Sequence, residues 1–385
     1  MKKNPLFTVL LLSLASPSLA LEDGEILVWI GSNRDRDAMA KAVAPFTDDL
    51  GIDVRIEVVD PDLPQKFQQA AATGDGPDIV LFAHDRFGEW ADGGLIVPVD
   101  PAEAWTEGVL PAAMDAVRFD NKTWGYPVSV EAVTLLYNKD LIDTPPAAFE
   151  DIAGLDHDGQ KILWDYNNTY FTMPLLMAGG GYAFQKVDGV FDGTTTGVNT
   201  EGAIAGAEVL KSLFDDGVMP QGVDYGVMDG AMANGDVAMV LNGPWSWGAY
   251  KEAGVDLGVA PIPTVGGQVS PPFLGVQAMA INAASPNVDL AVELIENYLV
   301  TDEGLAIWNA NGVMGALTDI SAADAQDDAL VSAMLEIAAT GVPMPSNPEM
   351  GAFWAAMAPA LTNITSGTSA PADALNDAAT RILGE

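Results

Sequence analysis

The chain is predicted to fold as α/β domains, two or more in number, and three observations predict it. Short runs rich in β-branched and apolar residues recur between helical stretches, the alternation expected of α/β architecture with largely parallel sheets. The 385 residues exceed the roughly 250–300 at which a single hydrophobic core stops growing. No internal repeat, heptad seam or low-complexity linker breaks the alternation. The expected strands cover 25–30, 52–59, 78–83, 161–166, 236–242, 257–261 and 276–281. Val288, Ala291, Val292, Ile295, Tyr298 and Leu299 share one helical face, with Ser285 expected as N-cap and Pro286 at the first position. A second helix is expected over 200–215, with Ile204, Ala207, Val209, Leu210 and Leu213 as its apolar stripe and Gly217 near its stop. A third carries Phe353, Trp354 and Met357. Gly/Pro clusters at 263–272 and 341–348 read as loops or crossings.

The amino terminus has the three parts of a secretion signal. Lys2 and Lys3 precede an apolar run from Leu6 to Leu14, and Ser18-Leu19-Ala20 supplies small residues at the third and first positions before a cut. Residues 1–20 are therefore expected to be a signal peptide, with the mature chain starting at Leu21. No later stretch offers about 18 consecutive uncharged apolar residues. With no cysteine, neither disulfides nor a lipid-bearing cysteine after the signal is possible. Sixteen basic against 54 acidic side chains give a formal charge of −38, and losing Lys2 and Lys3 takes it to −40. Such a chain repels nucleic acid and anionic lipid. Its acidic excess reads as a solvation feature suited to salty surroundings.

Few chemistries remain. His84 and His157 are the two histidines, so zinc sets and histidine-assisted nucleophiles are poorly supplied and no metal or cofactor is expected. No phosphate loop occurs, and Gly179-Gly180-Gly181 lacks dinucleotide-fingerprint spacing. His84, following a buried strand, reads as a structural hydrogen-bonding residue. Asp85, Glu131 and Asp165 sit near strand ends, where two of them could serve as a glycosidase pair, or as acceptors for sugar hydroxyls without any chemistry. Asp85, Arg86 and Glu131 are the preferred polar anchors. Flat rings that could pack on the C–H faces of a pyranose are Phe82, Tyr170, Trp245 and Trp354. Trp245 stands out because Asn242-Gly243-Pro244 is a turn that lifts a ring off a strand end. Trp29, Trp247 and Trp308 read as core.

These residues resemble a family. The strings ATGDGPDI, AHDRF, VEA followed by LYNKDL, YFT, GGGYAF, NGPWSW, INAASPN, ENYL with TDEGL, and AFW are similar, in order and over nearly the whole mature chain, to those of the periplasmic maltose/maltodextrin-binding proteins of ABC importers. The resemblance implies a non-enzymatic, monomeric periplasmic receptor with the two-lobe periplasmic binding protein fold. Its discontinuous lobes would be 21–130 plus 277–325 and 131–276 plus 326–385, joined by crossings near 129–133, 272–277 and 322–328. The implied ligand is maltose or a maltodextrin. The implied protein partners are the permease subunits and, as a further candidate, a chemoreceptor. Carried over by position, Asp85, Arg86 and Glu131 become amino-lobe polar contacts, and Tyr170, Trp245 and Trp354 become carboxy-lobe stacking platforms.

The departures from the family pattern concern the same site. Asn33-Arg34 stands where an Asp-Lys pair is usual, which keeps a cation and turns a carboxylate into an amide. Phe82 replaces a tryptophan, losing area and the indole donor. Asn168 and Thr169 replace Glu-Pro before the matching tyrosine. Ala355 and Ala358 stand where a tyrosine and an arginine usually follow the matching tryptophan. The outer parts of the site are thereby altered, which leaves a related di- or oligosaccharide such as trehalose as the alternative ligand.

Overall fold

A computed structural model describes residues 24–187 and 190–384; the expected signal peptide lies outside the described residues. Along Glu25–Ile30 the side chains alternate between two cores. Ile26, Val28 and Ile30 join Met39, Phe46, Leu294 and Trp308. Trp29 and Leu27 point the other way, to Phe67, Trp90 and Ala280. A strand buried on both faces needs a covered sheet, and helices supply the cover. The sheet runs in the order Ala316–Leu317, Tyr126–Ala132, Phe273–Ile281, Ile79–Ala83, Glu25–Ile30, Asp53–Val58, with Val342–Pro343 pairing the start of Phe273–Ile281.

A second sheet has the order Leu257–Ala260, Thr134–Asn138, Val237–Asn242, Gln160–Leu163. Its core holds Phe149, Trp164, Met228, Tyr250 and Phe353. Val133 alone separates Tyr126–Ala132 in the first sheet from Thr134–Asn138 in the second. The chain returns between Ala260 and Phe273, then leaves again between the helices Ile320–Asp324 and Ala329–Ala338. The result is a two-lobe α/β fold with discontinuous lobes and three crossings.

The expectation of largely parallel sheets is corrected. Phe273–Ile281 runs antiparallel to both Ile79–Ala83 and Tyr126–Ala132, and Thr134–Asn138 is antiparallel to both its neighbours. These antiparallel strands flank the crossings, where the chain arrives from the other lobe and has no crossover helix to reset its direction. Both strands flanking Val133 escaped the sequence reading, because burial on both faces removes the alternation that marks a half-exposed strand.

Helix starts were legible where the cap is local. Thr200 caps Glu201–Asp215 by accepting from the Ala203 amide, and Gly217 follows at φ 71°. Ser285, however, is not an N-cap. Its hydroxyl donates to Asp78 (2.5 Å) and accepts from the Asn287 amide, so the helix begins at Val288 with Asn287 as its cap residue. Its last turns, Ile295–Leu299, widen to π geometry. The buried Asp78 carboxylate also accepts from the Leu27 amide, while Asn282 donates to the Pro77 carbonyl. The GPD and INAASPN strings thus form one buried polar knot tying the first sheet together.

Candidate ligand-binding cleft

A cleft of about 600 Å³ opens between the two sheets, and all ten sequence-predicted site residues line it. Asn33, Arg34, Phe82, Asp85, Arg86 and Glu131 come from loops and strand ends of the first sheet. Asn168, Tyr170, Trp245 and Trp354 come from the second lobe. Trp29, Trp247 and Trp308 are buried in the cores as expected.

The polar wall is already internally bonded. Arg34, on the turn after Glu25–Ile30, makes a two-point ion pair with Glu131, and the Gln277 amide donates to the same carboxylate at 3.1 Å. The acceptor positions of the Glu131 side chain are thereby largely engaged. Asp85, on the short 3₁₀ turn His84–Arg86, accepts from the Trp354 indole at 2.8 Å and lies beside Arg86. Burial pushes its carboxyl above the ordinary range, and Arg86, His84 and the indole N–H each draw it back down. The contact links a residue of each lobe across the cleft. Arg86 also donates to Glu89. Asn33 is exposed at the rim.

The aromatic wall is built by two helix starts and one turn. Asn168 caps Thr169–Ala178, its side-chain oxygen accepting from the Tyr170 amide, so part of its polar capacity serves the helix. Burial, then the nearby Glu131 and Asp85 carboxylates, hold the Tyr170 phenol well above its usual range. Val237–Asn242 ends in the 3₁₀ turn Pro244–Ser246, which carries Trp245. The indole folds back over Gly243, where a Cβ would stand 2.2 Å from the ring, so only glycine fits there. Trp245 is half-buried, with its centroid 6.2 Å from that of Tyr170 and 6.3 Å from that of Phe171. Trp354 meets Phe353 edge-on at 4.9 Å, and Phe82 tilts against Trp90 at 6.2 Å.

Sequence reasoning missed Tyr225, Gln277, Asp60 and Asp62, which also line the cleft. Gln277 left a signal, being the one amide in the apolar strand FLGVQAMAI. Tyr225, the first residue of its helix, left none; burial and the neighbouring Asp229 push its phenol up to about 12. Asp165 lies outside the cleft lining. Burial raises its carboxyl and its partner is Asn168, so the structure does not bring it together with Asp85 and Glu131 as a carboxylate pair.

His84 has the structural role expected of it. One ring nitrogen donates to the Met344 carbonyl at 2.9 Å and the other accepts from the Val276 amide at 3.0 Å, fixing the neutral Nε2–H tautomer. A second ring proton would meet the Val276 N–H. Burial lowers the ring's affinity for a proton, with Lys186 adding to that effect and Asp85 opposing it. The unfolded chain takes up the proton at about pH 6.5, so this contribution to stability is complete above that value and is lost as pH falls below it. His84→Gln keeps a donor and an acceptor but cannot titrate. The drop in urea midpoint between about pH 7 and pH 5 is expected to be smaller in the variant than in the parent. Equal drops would show that His84 does not titrate on unfolding.

A cleft between discontinuous α/β lobes, with rings on one wall and charged hydrogen-bonding groups on the other, defines the class of two-lobe solute receptors. The family model for bacterial extracellular solute-binding proteins matches residues 41–333, and the chain belongs to that family. Similar proteins include the galactooligosaccharide-binding protein of Bacillus subtilis, 27% identical over 96% of this chain and 91% of its own length. The maltodextrin-binding protein MdxE of the same organism is 29% identical over 85% of this chain and 82% of its own. The maltotriose-binding protein of Pyrococcus abyssi is 27% identical over 89% and 77% respectively. Among the described residues no helix is long and apolar enough to cross a membrane.

Proposed function

We propose that the protein is a periplasmic receptor that binds maltose, maltodextrins or a closely related oligosaccharide and delivers it to an ABC importer permease. The reading is carried by one observation: flat rings from one lobe and charged hydrogen-bonding groups from the other face a single cleft. Rings suit the C–H faces of pyranoses, and carboxylates, guanidinium and amide groups suit their hydroxyls. The relatives bear names of oligosaccharide-binding proteins, which supports a binding role over hydrolysis.

The lobes, taken as 21–130 plus 277–325 and 131–276 plus 326–385, close on the sugar as a monomer. Trp245, Tyr170 and Trp354 receive it first, and Arg34, Asp85, Arg86 and Glu131 engage on closure, with Phe82, Asn33 and Asn168 at the edges. Only contacts that differ between open and closed states shift the population, so the second wall determines closure. The closed form is the one a permease, and a chemoreceptor where present, would read.

A second reading, a shift toward a different oligosaccharide, is favoured by the capping role of Asn168 and by the relative named for galactooligosaccharides. Calorimetry and tryptophan fluorescence in high salt, on the chain from Leu21, separate the two. Saturable heats with maltose or maltotriose, without product formation, are expected. Silence toward α-glucans with binding of galactose-containing oligosaccharides or trehalose would select the second reading. Turnover of any of them would overturn both.

A further inference from the structure

The floor of the cleft is the strand Phe273–Ile281. Its residues Gly275 and Gln277, two apart and therefore on one face, both line the cavity. Gly275 faces the Tyr170 hydroxyl, which a Cβ there would meet in ordinary contact at 3.5 Å. The pairing with Tyr126–Ala132 shifts register between Gln277 and Ala278, an irregularity that re-aims side chains where it occurs. Gln277 is 8% exposed, a polar side chain in an apolar strand.

A primary amide offers two N–H donors and a carbonyl acceptor. One donor goes to Glu131 at 3.1 Å. Among the described residues the Gln277 side chain makes no other hydrogen bond. Ser129, directly opposite in the register, has a buried hydroxyl that also lacks a partner. The Gln277 amide lines the cleft with one N–H and its carbonyl oxygen uncommitted to protein partners, so both can pair with hydroxyls of a ligand that enters, and a ligand that covers them without pairing forfeits about 1–3 kcal/mol for each.

We propose that Gln277 determines which sugar the cleft accepts. Its free N–H and its carbonyl oxygen form a donor–acceptor pair matched to two adjacent hydroxyls of one pyranose ring. Its bonded N–H, together with Arg34, fixes the Glu131 carboxylate beside that ring. A donor and an acceptor held on one rigid strand discriminate between epimers, because inverting one hydroxyl moves it out of reach and leaves the amide unpaired. The inference rests on the oligosaccharide reading above and adds to it the group that sets ring stereochemistry.

The test is calorimetry on the parent, Gln277→Leu and Gln277→Asn with two matched disaccharides, maltose and a galactose-terminated epimer. Gln277→Leu keeps the volume and removes the hydrogen bonds; Gln277→Asn keeps the amide and shortens its reach, and covers the case in which the leucine variant does not fold. Each folded variant is expected to lose about tenfold in affinity for the preferred sugar. The preference between the two epimers is expected to collapse by a similar factor, with thermal midpoints near that of the parent. Folded variants that weaken both sugars equally, or neither, would overturn the assignment while leaving the receptor reading intact. A parent that binds neither disaccharide nor any longer oligosaccharide would overturn the receptor reading and this inference with it.

Discussion

Glu131→Ala is expected to cost about 3–5 kcal/mol of folding stability, the penalty for leaving one member of a buried ion pair without its partner. The Arg34 side chain is 7% exposed and that of Glu131 is 3% exposed. Truncation strands the guanidinium in a site where water cannot fully replace the carboxylate, and it removes the acceptor for the Gln277 amide. The double change Arg34→Met with Glu131→Leu removes both charges and is expected to restore most of the loss, because a buried pair repays little more than its own desolvation. Urea denaturation of the three chains measures this. An alanine variant within about 0.5 kcal/mol of the parent would mean that the pair is better solvated than its burial indicates. Both variants are also expected to lose sugar binding, since Arg34 and Glu131 line the cleft.

Trp245→Ala is expected to weaken sugar binding by about 1–3 kcal/mol, by analogy with other stacked rings, or about 5- to 150-fold in Kd. The effect should be large because the platform is prebuilt. The ring is folded over Gly243 and braced by Tyr170 and Phe171, so little side-chain freedom remains to be lost on binding. Trp354→Ala is a less direct probe of stacking, since it also deprives Asp85 of a hydrogen-bond donor. Isothermal calorimetry with the preferred sugar reads the change. Unchanged affinity in Trp245→Ala would remove the stacking role and leave the ring as a wall of the core.

The candidate site was unusually legible because several of its residues carry a local signature. Asp85-Arg86 follows a buried strand on a short turn, and Trp245 follows a strand end and the one glycine its own ring demands. Tyr170 stands beside a helix cap. Such features depend on neighbours in sequence, so they survive without tertiary information. Gln277 was missed as a site residue for the opposite reason. In sequence it is one polar residue in a buried strand, and only the register with Tyr126–Ala132 places it beside Glu131, 146 positions earlier.

What the sequence determined by itself is the class of fold, the residue types at the site, the starts of elements with local caps, and the acidic character of the chain. Period, propensity and turn chemistry act over a few residues, and a linear reading has access to them. Tertiary structure decided the rest. It set the antiparallel entry of the crossing strands, moved Ser285 from a helix cap to a partner of Asp78, and turned Asp85, Glu131 and Trp354 from free binding groups into members of bonded pairs. Each of these outcomes joins residues far apart in the chain. Their partners are set by which surfaces meet when two cores form and by the cost of leaving a buried polar group unpaired, neither of which a local pattern encodes.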